Sequence, residues 1–89
     1  MERLRQQLEL WLSEQFPQAE ILLDPARHGQ KIGGILAWEG FAGLEPIERQ
    51  ELLWRDIRLH FNREDQLGIS SIITLTPQEY AVYREPQMA

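Results

Sequence analysis

The chain contains no cysteine. That excludes a disulfide framework and removes the thiolates that zinc, iron–sulfur and nucleophilic chemistry draw on. Long apolar runs are missing as well: nothing approaches the ~20 residues that a membrane span requires. The N-terminal MERLRQQLELWL scatters charges where a signal peptide would carry its apolar core. Basic residues are few, 9 Lys and Arg against 14 Asp and Glu, for a net charge of −5. This balance counts against a general nucleic-acid binder, because phosphate neutralisation needs a basic surface. Together these absences lead to the expectation of a cytoplasmic protein without membrane attachment. Protein partners, or a partner that brings a metal, remain open.

With 89 residues, 43% hydrophobic and 26% charged, the sequence has the composition of one globular domain, 1–89. Leu4, Leu8, Trp11 and Leu12 recur at i, i+4, i+7 and i+8, so residues 2–16 read as an amphipathic helix that Pro17 ends. AEILLD (19–24) has strand length, and DPARHGQK (24–31) is a turn or loop. KIGGILAWEGF (31–41) reads as a second strand. Its Gly33-Gly34 pair signals a bulge or a close backbone approach, from a tightly crossing helix or from a ligand. Pro46 suits the first turn of a helix that runs to about Phe61, with Ile47, Leu53, Trp54, Ile57 and Phe61 as its buried stripe and Arg49 outside it. NREDQLG (62–68) is a polar loop, ISSIITL (69–75) is a β-branched strand, and Thr76-Pro77-Gln78-Glu79 is a capping box that opens a last helix to Arg84.

The expected fold class is therefore α+β, in the order α-β-β-α-β-α. The first two strands should be antiparallel and the last two parallel, giving a small three-stranded mixed sheet with helices on one face. The expected core joins Leu8, Trp11, Ile21, Leu53, Trp54, Ile57, Phe61, Ile73 and Leu75. Trp38 is the tryptophan whose strand face is not decided by the pattern.

Catalytic signatures are lacking. Glu45, Glu48 and Glu51 line one exposed helix side without a partner for acid–base work, and Ser70 and Ser71 have no histidine at hand. GFAG (40–43) precedes a helix, as a backbone-clamping GxxG loop would, but its glutamate neighbours are the wrong charge for phosphate. No catalytic residue is named, and the chain is expected not to be an enzyme. His60, near the end of the long helix, suits the helix dipole. His28 is a lone loop histidine, either solvated or a metal or partner contact.

Two motifs in register carry a resemblance. Phe41 and Gly43, followed by Arg49, Leu52, Leu53 and Trp54, then Thr74, Thr76, Pro77, Glu79 and Tyr80, resemble the pattern of the BolA-like (stress-induced morphogen) family over roughly residues 2–80. The resemblance implies a class II KH-like arrangement and a non-enzymatic regulator or adaptor of the stress response acting through protein–protein contacts. It further implies a monothiol glutaredoxin as partner and Phe41, Gly43 and Arg49 as the partner or nucleic-acid surface. A KH-like nucleic-acid-binding transcriptional regulator is the alternative it offers. Family members share an iron–sulfur cluster with glutaredoxin through a histidine early in the third strand and a second ligand in the first strand–strand loop. Here Gly68 falls at or close to the first position and His28 could take the second. One imidazole does not replace two ligands. This departure counts against a shared cluster and leaves glutaredoxin docking open; no cofactor is expected on the chain alone.

Overall fold

The computed structural model describes residues 2–24 and 31–84. Helix α1 spans Glu2–Gln15, strands β1 and β2 span Glu20–Leu23 and Ile32–Ala37, and a 3₁₀ turn covers Glu39–Phe41. Helix α2 (Pro46–His60) and the short α3 (Arg63–Leu67) lead to β3 (Ile69–Leu75) and α4 (Pro77–Arg84). The sheet runs in the order β1-β2-β3, antiparallel between β1 and β2 and parallel between β2 and β3. This is the mixed α+β arrangement expected from the strand connections. No described helix is long and apolar enough to cross a membrane.

The ends of the helices follow local chemistry. Pro17 stops α1, and Gln18 turns the chain with φ +67°. Pro46 opens α2, where the Glu48 carboxylate accepts the Glu45 N–H at 2.8 Å. Two local features depart from the sequence reading. The polar 62–68 segment winds into α3 because Asn62 Oδ1 accepts the Asp65 N–H at 2.7 Å, capping a turn that a count of polar residues does not reveal. The second strand ends at Ala37, and residues 39–41 turn away as the 3₁₀ segment.

Leu8, Leu12, Leu36, Leu53 and Ile57 are fully buried between α1, α2 and one sheet face, with Ile32, Phe41 and Ile72 sealed beside them. Burying each such side chain contributes ~1.5–3 kcal/mol. Trp11 and Phe61 belong to this core, while Trp54, Trp38 and Ile21 are partly buried against it.

Ile73 and Leu75, expected inside, are not core residues: Ile73 is 46% exposed and Leu75 half-buried. The cause is a bulge. Ile32 pairs with Ile69 and Gly34 with Ile72, so two steps along β2 oppose three along β3. The extra residue at Ser70–Ser71 moves Ile72 and Thr74 onto the core face and Ile73 onto the other. Ile47 is also outside the core, at 66% exposure. The buried row of α2 is Arg49, Leu53 and Ile57, and Ile47 lies about 200° around the helix from Arg49.

Close backbone approach explains Gly33 and Gly34, but the approaching chains are the neighbouring strands rather than a helix. A Cβ on Gly34 would lie 1.9 Å from Leu22 O in β1, and one on Gly33 would lie 3.0 Å from the Ser71 carbonyl oxygen in the bulge. The second sheet face is the more exposed one, with Leu22 and Ile73 open to solvent. At one end of the sheet α4 meets β2 and β3, buries Tyr80 and pairs Arg84 with Glu20 at 3.6 Å.

Candidate functional site

The residues of the two motifs converge where the start of α2 meets the end of β3 and the first turn of α4. Arg49 is only 7% exposed. Its Nε donates to Leu44 O (3.0 Å), and its Nη1 donates to Thr74 O (3.3 Å) and to Glu79 Oε1 (2.6 Å). Nη2 donates to Glu79 Oε2 at 3.4 Å, so the pair is two-pronged. The guanidinium carbon sits 6.0 Å from the centroid of the Phe41 ring. Arg49 therefore does not pair with Glu45, Glu48 or Glu51 on the helix surface. It turns inward because buried carbonyls and an aromatic face await it there.

Glu79 closes the circuit. Its carboxylate also accepts the Thr76 N–H at 2.9 Å, while Thr76 Oγ1 accepts the Glu79 N–H at 3.1 Å, completing the capping box expected of this tetrapeptide. The Arg49 hydrogen bond, and then that from the Thr76 backbone, hold the Glu79 carboxyl below its ordinary value of 4.5. Gln50, next to Arg49, donates through Nε2 to Ile72 O (2.8 Å) and to Thr74 Oγ1 (3.1 Å). A shallow groove of about 470 Å³ runs beside this network, lined by Pro46, Gln50, Ile73, Leu75 and Glu79 among others.

Of the three positions assigned to a partner surface, only Gly43 is exposed; it adopts φ +86°, which favours glycine. Phe41 is fully buried and Arg49 nearly so. Both lie beneath the surface: Phe41 packs in a ring cluster with Phe16 and Trp38, at centroid distances of 5.9 and 5.2 Å. Gly40 lets the Trp38 indole fold down, since a Cβ there would meet the ring at 2.4 Å. In GFAG, then, one glycine lies under an indole and the following phenylalanine is buried, a poor clamp for a phosphate backbone.

His28 lies outside the described residues. His60 is exposed and stacks on Trp11 at 5.2 Å and 18°. Gly68 caps α3 and brings no side chain to the start of β3. Among the described residues no three His, Cys, Asp or Glu groups gather as metal ligands. Ser70 Oγ donates to Ile32 O at 3.1 Å and is thereby tied into the bulge.

Sequence reasoning missed Gln50, and it missed that two residues of the second motif, Thr74 and Glu79, are the partners of Arg49. No local signal marks them, because the Arg49–Glu79 contact spans thirty positions and three glutamates offered nearer partners. Comparison of the chain with protein-family models, curated proteins and solved structures yields no match.

Proposed function

We propose that this chain is a BolA-like regulatory or adaptor domain, not an enzyme, which works in the cytoplasm through protein–protein contacts with a monothiol glutaredoxin as its partner. One observation supports the reading above the others. The two sequence motifs behind the resemblance, one around Phe41–Arg49 and the other around Thr74–Tyr80, are joined by the Arg49–Glu79 and Arg49–Thr74 bonds. Motif residues that hold one another explain why they would occur together. The groove beside them and exposed Gly43 offer the partner a surface that Arg49 and Phe41 support from within. Because Gly68 carries no imidazole, the contact is one of docking rather than cluster ligation.

The test is calorimetric titration of the purified protein with a monothiol glutaredoxin, with and without its glutathione-bound cluster. The expected result is saturable binding with an unchanged cluster spectrum. Absence of binding to either form overturns the reading. A gel shift of random duplex DNA at physiological salt should show no complex; a micromolar complex would favour a KH-like nucleic-acid regulator instead.

A further inference from the structure

Strand β3 is the longest strand and forms one edge of the sheet. Its sequence, ISSIITL, carries no charge, no proline and no glycine. Such a segment at a free edge is a template for pairing with another chain. The opposite edge is blunted differently: β1 has four residues and begins with the exposed charge of Glu20. β3 has neither a charge nor brevity to protect it.

What protects it is α2. The Leu75 carbonyl points inward and accepts the Trp38 N–H at 2.8 Å. Carbonyl directions alternate along a strand, so those of Thr74 and Ile72 face outward in turn. These two outward acceptors are occupied by side chains, Ile72 O by Gln50 Nε2 at 2.8 Å and Thr74 O by Arg49 Nη1 at 3.3 Å. An incoming strand would need these same oxygens.

We infer that Gln50, with Arg49, closes the outer edge of β3 to strand addition, and that the strand it excludes is the β3 of a second copy of this chain. The sequence is suited to antiparallel self-pairing centred on Ile72. That alignment sets Ile69 opposite Leu75, Ser70 opposite Thr74 and Ile72 opposite its own copy, three like-with-like matches, and places each Ser71 opposite the Ile73 of the other copy. It also brings the exposed Ile73 of each copy into the contact. The inference does not rest on the proposed glutaredoxin partner.

Gln50→Leu removes the donor at similar volume. Sedimentation velocity over a range of concentrations, with circular dichroism to verify folding, should show self-association at least about tenfold tighter than in the unsubstituted protein. Gln50→Lys keeps a donor and should match the unsubstituted protein. Adding Ile73→Lys to Gln50→Leu puts like charges into the new contact and should reverse the association. A folded Gln50→Leu variant that associates no more than the parent overturns the inference, as does association that Ile73→Lys leaves unchanged. If the leucine variant loses its folded signal, Gln50→Met, closer in shape and also without a donor, decides by the same criteria.

Discussion

The two ends of α2 are fastened by different chemistry. At the N-terminal end Arg49 and Gln50 reach β3 and α4 through directed hydrogen bonds. At the C-terminal end rings hold α1: Trp11 stacks on His60 and meets Phe61 edge-on at 5.3 Å and 82°. Directed bonds weaken steeply when their angle changes, whereas ring contacts accept a broad range of offsets. Both joints pair a buried residue with an exposed one, Arg49 with Glu79 and Trp11 with His60, so the contrast lies in the directionality of the contacts rather than in their shielding from water. The difference teaches that α2 is anchored rigidly at the end carrying the motif residues and more compliantly at the other.

The largest expected effect lies under the rigid joint. Phe41→Ala should cost about 3–5 kcal/mol, as for other buried large aromatics, measured by urea unfolding. A loss well below that range would detach the ring cluster from the support of Arg49. Arg49→Met comes next: the Thr74 and Leu44 carbonyls lose their donor, with an expected loss of about 2–3 kcal/mol. His60→Ala should be mildest, at under about 1 kcal/mol, the scale of one aromatic pair. An equal loss for Arg49→Met and His60→Ala would erase the distinction between the two ends.

Much of the frame was legible in the sequence because it rests on local signals. Apolar spacing marked α1, β-branched composition marked ISSIITL, and Thr76-Pro77-Gln78-Glu79 marked the start of α4. Strand directions followed from the lengths of the connections. Ile73 and Leu75 were misplaced because one extra residue in the bulge reverses a two-residue alternation, and Ser70-Ser71 give no warning of it. The site was less legible still. Arg49 looks like a surface residue among glutamates until the fold brings Glu79 and Thr74 to it. Trp54 had strong helical periodicity in its favour and is nonetheless only partly buried, because the tightest face of α2 follows Arg49, Leu53 and Ile57.

The central claim is that Arg49 and Glu79 bind the two motifs into one unit. A carboxyl held below its ordinary value stabilises the fold above the pKa of the unfolded chain, and that contribution is lost as pH falls through the lower folded value. The most direct measurement is a double-mutant cycle of Arg49→Met and Glu79→Gln, with unfolding free energies taken at about pH 7 and again at about pH 2, where carboxylates are protonated. The account predicts a favourable coupling clear of experimental error near neutrality that falls markedly in acid. Additive losses at neutral pH, or a coupling indifferent to pH, would contradict it.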